Sequence, residues 1–394
     1  MAMKRLWKMI PPCMSDILGL QALMNNTEGI VVVDDASSYK PLRYTQGGAG
    51  RPENRRGPGG KHNGYFGTQQ MVSSEIQEAN VITGTAEQVW TAVGTGIETF
   101  HPDFLLLTTA PCAAMIGSDL SEAADRVQAE YHLPAAVVNL DGQKDYLFGI
   151  SMALESMGRA LLKKQDIQPN TVNLLGCNTV DWSEDMVRET EQWLTDNGWQ
   201  VLSRWGSREM TENFQNAAAA SVNLVVNVSG LRLARYMEAE FGIPYITGAP
   251  FGTSWCAQLL EELRSGQRSS QPEVSTGVPD TLIIGEQLTA DAIRRALETR
   301  GFTHIRVCSF HEMDKNEMRP GDKKLVSEDE LAAELKNENL HIAFGDIDYR
   351  MDAQVKWVSL PNQGNLAPSK LLAPFSMMDG ALDRWLDSVL EGEN

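Results

Sequence analysis

No stretch of this chain approaches the ~20 consecutive apolar residues needed to cross a bilayer, so an ordinary transmembrane helix is excluded. Cysteine is scarce: Cys13, Cys112, Cys177, Cys256 and Cys308 are scattered through 394 residues with no Cys-x-x-Cys pair. That spacing argues against a disulfide framework or a zinc finger. The six histidines (His62, His101, His132, His304, His311, His341) show no helical metal-binding spacing. Any metal site must therefore be assembled across distant segments or across subunits. Positive charge is also short, with 34 Lys and Arg against 52 Asp and Glu and a net charge of −18. Without a concentrated basic surface, nucleic acid is disfavoured as a main partner. No Gly-x-Gly-x-x-Gly follows a first strand and no Gly-x-x-x-x-Gly-Lys-Ser/Thr occurs, so nucleotide binding by this chain is unsupported. Gly47-Gly48-x-Gly50 is only a weak match.

The apolar fraction of 42% and charged fraction of 22% are ordinary for a globular protein. At 394 residues the chain is too long for one core, and two or three domains are expected. Lys4, Arg5 and Lys8 precede an apolar stretch that Pro11-Pro12 cut too short for a signal peptide. The expectation is a cytoplasmic protein that does not enter a membrane. Its acidic surface could steer a basic protein partner or serve solubility alone.

Apolar runs and helical segments alternate along the chain. Gly29-Ile30-Val31-Val32-Val33 follows a helix predicted over 15–24, and Asp34-Asp35 leave that strand as a solvated polar loop. Residues 46–67, rich in Gly, Arg and Pro, cannot build a core and are expected as a mobile loop, with a lid or docking loop as the sharper reading. Val81-Ile82-Thr83 predicts a strand, and Phe104-Leu105-Leu106-Leu107 and Ala135-Ala136-Val137-Val138 predict two more. The theme repeats from Val172 and again from Thr281, where Thr289 is expected to cap a helix. Polar breaks at 166–169 and 265–278 suggest boundaries. The fold class expected is α/β: three Rossmann-like domains with parallel sheets flanked by helices, at 1–165, 166–270 and 271–394.

The stretch that promises chemistry is Thr109-Ala110-Pro111-Cys112-Ala113-Ala114-Met115-Ile116-Gly117-Ser118-Asp119. It places Cys112 on a turn from a strand's carboxyl end into a helix, where open α/β sheets put their working residues. A helix N-terminus eases thiol ionisation, which suits metal ligation. Cys177 follows a strand and reads either as a substrate-cavity or ligand residue or as core; Cys256 and Cys308 read as core. Phe251-Gly252-Thr253 is either cavity lining or a turn. Trp182, Trp199, Trp205 and Trp255 could stack on a flat substrate, although core packing is the better reading. Asp141 and His132 are the cleft-side guesses for a proton donor.

The chain resembles the nitrogenase component 1 family, which includes dinitrogenase subunits, cofactor-assembly homologues and dark-operative tetrapyrrole reductases. The resemblance rests on Asn223-Leu224-Val225-Val226-Asn227 with Leu233-Ala234-Arg235-Tyr236-Met237-Glu238-Ala239-Glu240-Phe241-Gly242-Ile243-Pro244-Tyr245, and on Pro111-Cys112…Ile116-Gly117-x-Asp119. It implies three Rossmann-like domains, and cluster ligation by Cys112 and by Cys13, which lies ahead of Leu18-Gly19. The family's second cluster cysteine is missing from 34–39, where Tyr39 stands by position; its cofactor cysteine aligns with Asn227, and no histidine stands near Leu360-Pro361-Asn362. A nitrogenase-type molybdenum–iron cofactor held by those ligands is therefore not expected.

The resemblance implies a [4Fe–4S] cluster shared across a subunit interface. A cluster of this kind usually takes four ligands. Two copies about a two-fold axis would duplicate Cys13 and Cys112, or a related subunit would supply the remainder. Asp34 or Asp35 are the candidates for a carboxylate ligand. The expected partners are an ATP-dependent iron protein and a homodimeric, heterodimeric or heterotetrameric component 1-like mate. The function implied is a subunit of a nitrogenase-like two-component reductase, relaying low-potential electrons to a substrate in the inter-domain cleft. The alternatives are a non-catalytic metallocluster scaffold or carrier, or a cluster-free regulatory or binding homologue.

Overall fold

The computed structural model describes residues 9–36, 71–269, 277–361, 364 and 375–391. Their strands form three parallel sheets, most of whose strands are joined by helices that carry the chain back across the sheet. The first sheet contains β1 (Gly29–Asp34), β2 (Met71–Ser73), β3 (Phe104–Thr109) and β4 (Ala135–Val138) in the order β2-β1-β3-β4. The second contains β5 (Thr171–Leu175), β6 (Gln200–Trp205), β7 (Val222–Val225) and β8 (Tyr245–Thr247), ordered β6-β5-β7-β8. The third contains β9 (Thr281–Ile284), β10 (Ile305–Ser309), β11 (Lys323–Lys324), β12 (Ile342–Gly345) and β13 (Lys356–Ser359), ordered β11-β10-β9-β12-β13. The expected α/β class with three Rossmann-like sheets is what the chain adopts.

The central strands β1, β3, β5, β7, β9 and β12 are buried along their whole length, as continuous apolar runs covered on both faces should be. Strand order reverses between β1 and β3, between β5 and β7, and between β9 and β12. At such reversals the connecting helices depart to opposite faces and leave a crevice at the carboxyl ends. These three crevices hold nearly all the chemistry described below.

One apolar core joins the first and second sheets and another joins the second and third. The helix Asp16–Met24 crosses the helix Tyr146–Leu161 at backbone contact. A Cβ at Gly149 would lie 1.9 Å from the Asp16 carbonyl oxygen, and one at Gly19 would lie 2.3 Å from that of Tyr146. This crossing fixes the segment carrying Cys13 against the start of the second helix.

Several local expectations change. Residues Asn80–Thr83 form a short helix and not a strand, with Val81 59% and Ile82 90% exposed. Nothing covers these two side chains within the described residues, so β-propensity has no packing to act through. The edge strand is Met71–Ser73 instead. Thr289 lies inside its helix, Gln287–Glu298; the cap is Glu286, whose carboxylate accepts from the Leu288 and Thr289 amides. Ser15, Asp145, Ser183 and Ser327 cap their helices through side-chain oxygens.

Candidate functional site

At the first crevice β1 ends in Asp34 and β3 ends in Thr109, and the Ala110 amide donates to the Asp34 carbonyl. Pro111 then takes the first position of the five-residue helix Pro111–Met115, its missing N–H costing nothing there. The Cys112 thiol donates to Asp35 Oδ1 at 3.2 Å. Asp34 accepts from the hydroxyls of Ser74 at 2.6 Å, Thr85 at 2.7 Å and Ser118 at 2.5 Å. Asp34 and Asp35 are 0% and 1% exposed, so the solvated-loop expectation is wrong for both. Neither could be recognised as buried from local sequence, because the hydroxyls that offset the desolvation arrive from three other segments.

The Cys112 thiol is harder to ionise than a free cysteine, not easier. Desolvation raises its pKa most, and the neighbouring Asp35 adds to the rise. A helix of five residues offers too little dipole to reverse this. A bound metal ion displaces a thiol proton outright, so the raised pKa describes the metal-free chain.

Cys13 faces a different partner. Its Sγ lies 3.4 Å from Nδ1 of His311, which follows β10 in the third sheet. Both residues line a groove of about 490 Å³ with Gly142, Lys144, Asp145 and Lys324. A Cβ on Gly142 would lie 2.7 Å from Pro111 Cγ. The Gly142 turn thus stands between the Cys13 groove and the turn carrying Cys112. Cys13 and Cys112 are brought to the same region of the fold, each with its own hydrogen-bond partner. Burial raises the Cys13 thiol strongly, with Asp145 and Asp181 contributing. Burial also lowers His311, to about 4, so the pair is neutral at neutral pH.

Behind His311 lies a small cavity of about 60 Å³ where the carboxyl edges of the three sheets meet. The Tyr146 hydroxyl donates to Asp181 Oδ1 at 2.7 Å, and the amides of Asn227 (2.8 Å) and Asn178 (3.1 Å) donate to Oδ2. Glu286, on the other side, accepts from the Val228 amide of the second sheet's crevice as well as from its own helix. Burial, then Asp181, raises Glu286 to about 7. Asn227 is thus a carboxylate's donor here, and Leu360 and Pro361 line the cavity. Tyr39, Asn362 and the 46–67 segment lie outside the described residues.

Tyr146, Asp181, Glu286 and His311 were not singled out in the sequence. The available signal was positional: each stands at or just past the carboxyl end of a strand or its following loop. Of the proton-donor guesses, neither lines the groove or the cavity. Asp141 is exposed and accepts from the Gln143 amide; His132 is exposed at the end of a helix, ahead of β4 and thus at its amino end. Cys177 is fully buried, its thiol donating to the Trp205 carbonyl at 3.5 Å, and desolvation pushes it to about 12. Cys256 and Cys308 are core, and so are the four tryptophans. Trp182 does stack, but on Phe251, with centroids 5.3 Å apart.

The family model for nitrogenase component 1 type oxidoreductases matches residues 54–299. The chain belongs to that family. Similar curated proteins include a subunit of the light-independent protochlorophyllide reductase of Zygnema circumcarinatum, 25% identical over 207 residues, covering 49% of this chain and 40% of the relative. The nitrogenase molybdenum-iron protein alpha chain of Clostridium pasteurianum is 24% identical over 258 residues, covering 63% and 45% respectively. The nitrogenase iron-molybdenum cofactor biosynthesis protein NifE of Methanosarcina barkeri is 24% identical over 208 residues, covering 49% and 44%. The matched region thus spans about 40–45% of these relatives' length. The solved structure of nitrogenase Cp1 at pH 5 superposes with a TM-score of 0.68 at 14% identity, covering 99% of this chain and 90% of that one. This similarity shows a shared fold.

Two thiols, Cys13 and Cys112, are the soft donors this nitrogenase component 1 type chain offers near the carboxyl edges of its sheets. Soft thiols suit iron–sulfur clusters, and Cys112 is only half-buried on its edge. Among the described residues no three His, Cys, Asp or Glu side chains converge as a metal site. No described helix is long and apolar enough to cross a membrane.

Proposed function

We propose that this chain is a subunit of a nitrogenase-like two-component reductase, holding part of an iron–sulfur cluster at a subunit interface through Cys112 and Cys13. The observation that carries this reading is the Cys112 thiol, half-buried at the first sheet's topological switch point beside the buried Asp35. A [4Fe–4S] cluster bound there supplies low-potential electrons. A separate ATP-hydrolysing iron–sulfur protein is the electron donor in this reading, and a second component 1-like subunit, identical or related, completes the ligand set.

The chain's own residues do the rest. Three hydroxyls hold Asp34 and thereby the end of β1, so that Asp35 meets Cys112. The substrate's place is the groove beside Cys13, since about 490 Å³ falls in the usual range for a small-molecule site. The central cavity of about 60 Å³ has no room for an organic substrate. Phe148, Phe310 and Tyr349 give the groove flat apolar walls.

Anaerobic purification from a cluster-competent host, with iron and sulfide assays and EPR after dithionite reduction, tests the reading. Iron-containing, EPR-active protein that loses its cluster in Cys112→Ala and Cys13→Ala is expected. Iron-free, EPR-silent protein sinks it. A cluster that survives both substitutions overturns the ligand assignment.

A further inference from the structure

Three acids line the cavity, Asp181, Glu286 and Asp346, and two of them, contributed by different sheets, take three hydrogen bonds each. Asp181 lies in the loop after β5, and its carboxylate takes three neutral donors, from Tyr146, Asn178 and Asn227. Glu286 lies just after β9 and takes three backbone amides, from Val228, Leu288 and Thr289. No Lys or Arg lines the cavity among the described residues. Neutral donors ease the burial of a charge but supply no counter-charge, and two carboxylates sharing an enclosure of low dielectric cannot both ionise cheaply.

We propose that Asp181 and Glu286 hold one proton between them in this cavity, and that the pair is the internal proton source for reduction in the adjoining groove. The source role rests on the reductase reading above. Burial comes first in raising both acids, and Asp181 further raises Glu286. The other titratable groups facing the pair are Tyr146, His311 and Asp346, with Cys13, Asp145 and Lys324 beyond His311. A cavity of about 60 Å³ is large enough to hold water, which connects carboxyl oxygens across it. His311 is the described residue that lines both the cavity and the groove, and its ring stands between them.

Adding one hydrogen equivalent to a substrate takes one electron, from the one-electron donor of the reductase reading, and one proton. The proton leaves a carboxyl oxygen of the pair, which is left doubly charged. Uptake of a proton from solvent restores it.

The first test is infrared spectroscopy of the cluster-free protein, which depends on no activity. A protonated-carboxyl band that shifts in heavy water is expected to persist at neutral pH. In Asp181→Asn or Glu286→Gln the remaining acid should lose its proton at lower pH, while circular dichroism confirms the fold. Absence of the band at neutral pH, or a band that both variants leave unchanged, overturns the shared proton. The second test uses the reconstituted reductase. Each variant should lose turnover on the order of a hundredfold, with KM and single-turnover electron delivery unchanged. Full turnover in both variants overturns the source role. If the band is present but the wild-type protein reduces nothing when loaded, the reductase reading fails; the source role falls with it, and the shared proton stands.

Discussion

Cys13 and His311 are 298 positions apart, yet their side chains meet with Sγ and Nδ1 3.4 Å apart. This contact joins the third sheet's carboxyl edge to the N-terminal segment, and its imidazole borders both the groove and the acidic cavity. It also means that the two thiols of interest meet different neighbours: an imidazole for Cys13 and a carboxylate for Cys112.

The thiol environments predict reactivity. Alkylation requires thiolate, and both pKa values are raised, so cluster-free native protein should react with iodoacetamide more slowly at Cys13 and Cys112 than the unfolded chain does. Asp35→Asn removes one of the causes at Cys112 and should speed that site alone. Peptide mass spectrometry over a time course reads both rates; acceleration at Cys13 in the same variant would contradict the geometry.

Glu286 predicts a pH dependence of stability. Its pKa rises from 4.5 in the unfolded reference to about 7 in the fold. Between those values the folded state binds the extra proton, so stability falls as pH rises from about 4.5 to about 7 and then levels. At 1.36 kcal/mol per pKa unit the loss from this group is roughly 3 kcal/mol. Glu286→Gln should flatten the slope by this amount in urea denaturation series across the window. An unchanged slope would show that Glu286 is not the titrating group.

Two glycines predict opposite responses to alanine. At Gly149 the new Cβ meets the Asp16 carbonyl at 1.9 Å, so the two helices must separate, and a loss of about 1–3 kcal/mol or more is expected. At Gly94, inside the helix Ala86–Phe100, a Cβ would come no closer to a described neighbour than 3.9 Å, at the Tyr131 hydroxyl. There Gly→Ala should stabilise by about 0.5–1 kcal/mol through reduced backbone entropy. Thermal melts of the two variants should move in opposite directions.

Asn227 predicts a charge-dependent defect. Its amide donates to Asp181 Oδ2 at 2.8 Å. Asn227→Asp replaces that donor with a further acid and should destabilise the chain more at pH 8 than at pH 5, because a retained proton restores the hydrogen bond. Equal loss at both pH values would indicate a purely steric effect.

The sequence by itself determined the sheets. Runs such as Phe104–Leu107 and Val172–Leu175 bury completely whatever their neighbours, and their alternation with helices leaves few topologies open. It also located the Cys112 turn, because a Pro-Cys pair between strand and helix is a local pattern. Local pattern failed at Val81-Ile82, where exposure removed the packing that makes a strand, and at Thr289, where Glu286 held the better capping geometry.

Only the tertiary structure decided the ionisation and partnership of the site. Asp34 and Asp35 look like any polar loop until Ser74, Thr85, Ser118 and Cys112 are brought to them. The groove and the acid cavity are lined by segments from near residue 10 to beyond residue 370, none informative alone. Hydrophobic burial is read from neighbours in the chain; desolvation and hydrogen bonding of a charge depend on neighbours in space. That is why the position of Cys112 was legible in the sequence, while its carboxylate partner and the Cys13–His311 contact were not.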